Sequence, residues 1–182
     1  MKSEITIVGA GPYGLALAAH LPKISGLPFR IFGEPMAFWR DFMPKGMYLR
    51  SAWRACYIAD PQNEFKLEAY QAATGEKISA PVPLEKFVSY GRWFQEQVVP
   101  DVDPRQVAWI ERKGSGFQLK LRDGSSQETK RVVVATGISS FAWCPPSLRI
   151  FLPRRSLTLP NTLISPGFAA RASPSLAAGK VR

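Results

Sequence analysis

Three glycines at a fixed spacing, Gly9-Ala10-Gly11-Pro12-Tyr13-Gly14, are the residues of this chain best suited to holding an anion. They follow a β-branched run, Ile5-Thr6-Ile7-Val8, and precede an Ala- and Leu-rich stretch, Leu15 to Leu21. A glycine turn between a buried parallel strand and a helix leaves unpaired N–H groups at the helix start, where the helix dipole also favours negative charge. In such a turn Gly9 permits the tight bend, Gly11 lets a pyrophosphate approach the backbone, and Gly14 lets the helix pack closely on the strand. Pro12 and Tyr13 sit between the last two glycines, at the position where phosphate would bind. Gly26-Leu27-Pro28 then turns the chain into Phe29-Arg30-Ile31-Phe32, a second strand. Strand, turn, helix and strand within about 30 residues make the βαβ unit that a dinucleotide-binding fingerprint requires.

An acidic residue about 20 positions beyond the glycines ordinarily accepts a hydrogen bond from the adenosine ribose. The second strand here runs into Gly33-Glu34. Gly33 holds the expected register, and Glu34 is the acid within reach, either as the ribose acceptor or as a solvated loop carboxylate. A second candidate turn closes Val132-Val133-Val134-Ala135-Thr136-Gly137, a buried parallel strand ending in a tight bend. Ligands sit beyond the carboxyl ends of such strands, so Ala135, Thr136 and Gly137 are expected to meet the first turn over one cofactor.

The intervening chain must position these two turns. Gln106 to Arg112 and Phe117 to Arg122 alternate like strands, joined through Gly114-Ser115-Gly116, and Asp123-Gly124 closes a second hairpin. Leu84 to Val99 places Phe87, Tyr90, Trp93, Phe94 and Val98 at helical spacing, which predicts an amphipathic helix with a core stripe. Trp39, Tyr48 and Trp53 could line a flat cofactor ring or pack in the core, and packing is the commoner fate of aromatic residues. Together these elements predict an α/β, Rossmann-like domain: a parallel sheet with its glycine-turn unit plus an antiparallel meander.

The run Val8 to Leu15 resembles the N-terminus of FAD-dependent, NAD(P)H-using monooxygenases of the flavin-containing and N-hydroxylating types, which carry separate FAD and NADPH domains. Met36 to Trp39 and Met43-Pro44-Lys45-Gly46-Met47-Tyr48-Leu49-Arg50-Ser51 are similar to the segment that passes beside the flavin in that family. Val132 to Gly137 resembles its second FAD signature. The resemblance implies FAD as cofactor, NADPH or NADH as reductant, oxygen as co-substrate and a nucleophilic small molecule as substrate. The cofactor would carry the chemistry, so no acid–base triad is expected and no catalytic residue is assigned. A flavin-dependent reductase or dehydrogenase, or a non-catalytic dinucleotide-binding module, would share the same two glycine motifs.

Composition agrees with a globular chain of 182 residues: 46% hydrophobic, 12% aromatic and 21% charged. The formal charge of +10 raises nucleic acid as a partner, but Arg149, Arg154, Arg155, Arg171, Lys180 and Arg182 carry six of those charges and leave +4 before them. Neither nucleic acid nor a membrane is expected, since no apolar run reaches the roughly 20 residues of a span. Cys56, Cys144 and the single His20 lie far apart with no paired spacing, so metal binding is not expected. The nucleotide motif suggests a cytoplasmic setting in which both cysteines remain thiols. The oligomeric state is not encoded in any feature of the sequence.

Beyond Cys144-Pro145-Pro146-Ser147-Leu148 the chain turns to Pro, Ser, Leu, Ala and Arg and loses every acid. Residues 1–148 are therefore expected to form a partial FAD/NAD(P)-binding domain and 149–182 a disordered tail. Codons compatible with the tail, read one base out of register, permit a peptide ending GIAVVGGGQSA, which resembles the opening of the NADPH domain. The expectation is a register change near Ser147 to Arg149 that removes that domain and leaves the chain inactive alone, and the genomic DNA tests it.

Overall fold

The computed structural model describes residues 2–24 and 26–138. Cys144 and the predicted disordered, register-shifted tail at 149–182 lie outside them. The described chain runs β1 (Lys2–Val8), α1 (Pro12–Ile24), β2 (Phe29–Phe32), α2 (Ala37–Asp41), β3 (Tyr48–Leu49), a 3-10 turn at Trp53–Cys56, α3 (Leu67–Thr74), β4 (Val82–Pro83), α4 (Leu84–Val98), β5 (Val102–Asp103), β6 (Val107–Lys113), β7 (Gly116–Leu121) and β8 (Ser126–Val134).

Six strands form one sheet in the order β5-β2-β1-β8-β7-β6. The first four are parallel: β1 pairs with β2 and β8, and β2 with β5. Val8 lies opposite both Phe32 and Val134, so the three central strands end level at their carboxyl ends. The predicted meander is the remaining antiparallel part, β6 with β7 and β7 with β8. β8 does two things in one strand: Ser126 to Thr129 pair with β7, and Glu128 to Val134 run along β1. The fold is thus the α/β, Rossmann-like arrangement expected from the sequence.

Burial explains why β1 ends in an unbroken β-branched run, Ile5 to Val8. Ile5 and Ile7 point into the larger core with Leu15 and Ala18 of α1, whereas Val8 joins Phe32, Val107, Leu119 and Leu121 in a second core. A central strand covered on both faces has no polar side to alternate with. Polar groups on this sheet are paired: Arg30 of β2 donates to Gln127 Oε1 of β8 at 2.9 Å and to Asp103 Oδ2 of β5 at 3.0 Å. That guanidinium straps the outer parallel strands to the meander across β1.

α4 presents Leu84, Phe87, Val88, Tyr90, Gly91 and Phe94 to the core, the helical stripe predicted for this segment. Its rings meet their neighbours edge-on, Phe87 against Trp39 at 4.8 Å and Tyr90 against Tyr70 at 6.0 Å between centroids. Tyr90 also fixes the long connection before α3: its hydroxyl donates to Phe65 O at 2.7 Å and accepts from Ile58 N–H at 3.1 Å. Burial pushes its pKa well up. Tyr90→Phe is expected to leave two buried backbone groups without this partner and to cost about 1–3 kcal/mol, read as a lower urea midpoint at unchanged slope.

Cys56 is a buried free thiol, raised in pKa by desolvation. Among the described residues no helix is long and apolar enough to cross a membrane.

Candidate cofactor site

The two predicted turns meet where β1, β2 and β8 end. Gly9 N–H donates to Phe32 O at 2.7 Å and Ala135 N–H donates to Val8 O at 2.7 Å, which continues the sheet pairing one residue past each strand. Gly9 then departs at φ +115, and a Cβ there would lie 2.3 Å from Ala135 O. A side chain at Gly9 is therefore excluded twice, by its backbone angle and by the second turn pressed against it. Gly14 is excluded by a still closer approach, since its Cβ would fall 1.9 Å from Gly9 O and 3.6 Å from Ile7 Cγ2. This is the close helix–strand packing expected of the last glycine in the motif.

Gly11 differs in kind. Beyond its two chain neighbours, nothing lies within 4 Å of where its Cβ would be, so the missing side chain leaves open space over the turn. α1 begins beside it at Pro12, earlier than the Leu15 predicted from the apolar pattern, and its first backbone bond runs from Leu15 N–H to Gly11 O at 2.9 Å. Proline suits that first position because its absent N–H would be unpaired there in any helix. The N–H groups of Tyr13 and Gly14 belong to the first turn, which has no acidic residue, and precede the first backbone bond. Tyr13 stands 87% exposed beside them. An open backbone seat, a helix N-terminus and no competing carboxylate together suit a phosphate or pyrophosphate.

Thr136 and Gly137 follow Ala135 along the rim, and the ring of Phe38 in α2 lies 3.7 Å from the Cβ position of Gly137. Phe38 stacks in turn on Phe42 with centroids 6.0 Å apart. α2 is thereby placed between the two turns. Trp39, one residue on, points the other way and packs edge-on against Phe87 in the core. Tyr48 is 54% exposed, and Trp53 Nε1–H donates to Glu68 Oε1 at 2.7 Å.

Gly33 closes β2 against the glycine turn, its Cβ position 3.4 Å from Ala10 N. Glu34 comes next and is ion-paired with Arg40, which also holds Asp41 at 2.6 Å. The hydrogen bond from Arg40 holds the Glu34 carboxyl below the usual range, so it is an ionised acceptor at neutral pH. It lines a surface recess of about 290 Å³ with Pro35, Arg92, Gln95 and Glu96. A larger recess, about 660 Å³, opens at the opposite end of the sheet around Ser3, Glu4, Gly114 and Lys130. That recess is lined by the β6–β7 hairpin turn at the end that carries the amino termini of the parallel strands, whereas the carboxyl end is the binding end of such sheets.

The sequence pointed to both turns and, through the resemblance, to the Met36 to Trp39 segment, but not to the contacts by which Met36 and Phe38 join the turns. Nothing in their residue type signals the role, and Met36 has a left-handed backbone (φ 59) that is ordinarily a glycine's.

No protein-family model matches the chain, and no curated protein matches it in sequence. Solved structures do. The chain is similar to a flavin-containing monooxygenase from Stenotrophomonas maltophilia (20% identity, TM-score 0.62), over 79% of this chain and 41% of that one. It is also similar to L-lysine 6-monooxygenase from Pseudomonas syringae (19%, TM-score 0.60), over 83% and 41%. A third is the bacillithiol disulfide reductase Bdr from Staphylococcus aureus (21%, TM-score 0.59), over 75% and 39%. The chain thus spans about two fifths of the length of each. At these identities the likeness establishes the architecture: the described residues have the Rossmann-like α/β fold found in flavin-dependent monooxygenases and in a disulfide reductase.

Proposed function

We propose that this domain binds FAD and serves as the flavin-holding part of an NAD(P)H-dependent oxidoreductase, most specifically a monooxygenase acting on a nucleophilic small molecule. The observation that carries the reading is the open space over Gly11 at the start of α1, in a glycine turn whose Gly9 packs against Ala135 at the level carboxyl ends of β1 and β8. The seat fits a pyrophosphate, because a Cβ would enter it and no part of the chain beyond the two neighbouring residues does. When bound, FAD would supply electron transfer from NADPH or NADH to oxygen and substrate.

The chain's own residues would bind and orient it. Backbone N–H groups of Gly11, Tyr13 and Gly14 would hold the pyrophosphate, with Pro12 starting the helix between them and the Tyr13 side chain beside the seat. Ala135, Thr136 and Gly137 would shield its far side. Glu34 would accept from the ribose through the carboxylate oxygen that Arg40 leaves open. Glu34→Ala is then expected to weaken FAD by about tenfold, the loss of one charge-assisted bond, in a flavin fluorescence titration. An unchanged affinity would mark Glu34 as a surface carboxylate.

Competition between fragments of FAD tests the proposal. ADP should displace FAD and riboflavin should not, because the pyrophosphate seat is the built feature; displacement by riboflavin alone would overturn it. The likeness to a disulfide reductase favours one second reading, a flavin-dependent reductase. Rapid reoxidation of the reduced flavin by oxygen, coupled to product formation, separates the monooxygenase from it.

A further inference from the structure

We infer that Met36 is the positioning residue that aims the backbone of the glycine turn, through a notch that Gly91 leaves in α4; the inference rests on reading that turn as an FAD seat. Met36 is fully buried, although its backbone lies in the left-handed region at φ 59 and ψ 14. That conformation is uncommon for a residue with a side chain and persists only where the surroundings hold it. Two contacts hold it here. A Cβ on Gly91 would fall 2.5–2.6 Å from Met36 Cγ, Sδ and Cε, so the thioether fills the space that any other residue of α4 would occupy. On the other side, Met36 N–H donates to Ala10 O at 3.1 Å.

The second contact carries the consequence. Ala10 O and Gly11 N–H belong to one planar trans peptide and point in opposite directions. Tethering the carbonyl toward Met36 therefore directs the Gly11 N–H away from Met36. Gly11 is also the residue whose Cβ position meets nothing beyond its chain neighbours within 4 Å, and its amide is the one that the FAD reading assigns to a phosphate. α4 is anchored by Phe87, Tyr90 and Phe94 in the core, so the orientation of one cofactor-facing amide is fixed by a helix remote from the turn in sequence.

The test compares Gly91→Ala, Met36→Ala and the double variant, with Tyr90→Phe as a destabilised control that leaves the notch intact. Amide exchange of Met36 in the ligand-free chain reads the tether, and a flavin titration reads the seat. Gly91→Ala should speed exchange at Met36 by about tenfold and weaken FAD by about tenfold, as the competent shape of the turn becomes a minor population. In the Met36→Ala background the same Gly91→Ala change should tighten FAD, because the methyl now fills a hole instead of meeting a side chain. That reversal of sign is not expected of simple destabilisation, and if the single Gly91→Ala chain fails to fold, tightening in the Met36→Ala background is still required. Unchanged exchange at Met36 in Gly91→Ala, the same sign in both backgrounds, or equal weakening by Tyr90→Phe would overturn the inference. If the unaltered chain takes up no FAD, the FAD reading fails, and the exchange of Met36 alone decides whether Gly91 sets the tether.

Discussion

Gly11→Ala is expected to abolish FAD retention while leaving the fold intact. The added methyl meets nothing beyond its chain neighbours within 4 Å, so it creates no clash inside the domain. Because Gly11 does not need a positive backbone angle, alanine is tolerated there and stiffens the unfolded chain. Stability should then stay level or rise by up to about 1 kcal/mol. The methyl does, however, stand where a pyrophosphate must come within hydrogen-bond distance of the backbone. Losing two charge-assisted bonds of about 1.5 kcal/mol each corresponds to a weakening of about a hundredfold. Thermal unfolding and a flavin titration on the same sample check both halves. A variant that keeps its affinity would show that the phosphate sits elsewhere.

Gly14→Ala should fail in the opposite way, by loss of the fold. Its methyl would be 1.9 Å from Gly9 O, a backbone atom of the same turn, which cannot swing aside as a side chain can. Either α1 moves off β1 or the turn itself deforms. Both options separate Leu15 and Ala18, which are fully buried, from Ile7. Overpacking against backbone costs roughly 3 kcal/mol or more, a large share of the 5–15 kcal/mol that holds a domain together. The urea midpoint should drop accordingly, and a shift of less than about 0.5 kcal/mol would contradict the close helix–strand contact. The two glycines, three positions apart in one motif, thus separate binding from folding.

The βαβ unit was legible because its signals are local. A β-branched run, three glycines and a helical pattern lie within one stretch, and each agrees with the others. The meander was legible through Gly114 to Gly116 and Asp123-Gly124, whose turn chemistry is equally local. β8 was read only from Val132, since Ser126 to Arg131 alternate buried Gln127 and Thr129 with exposed charges and carry no apolar signal. Those residues are a strand because β1 and β7 flank them, which is a tertiary fact. α2 and α3 were missed for the same reason: five and eight residues are too few for periodicity to speak, and packing on α4 holds them.

At the site, residue type revealed the glycines and not what braces them. Gly91 reads as an indifferent glycine within a helix until Met36 is found inside its notch. Trp39 and Phe38 are adjacent aromatics in sequence, yet one turns into the core and the other to the second turn. Glu34 was found by spacing, but its ion pair with Arg40 depends on the short helix that follows.

Incubating the purified chain with FAD, desalting it and recording its absorbance spectrum tests the central claim most directly. A flavin band that stays with the protein and that Gly11→Ala removes is expected; a colourless chain that is folded by circular dichroism would contradict FAD binding by this domain.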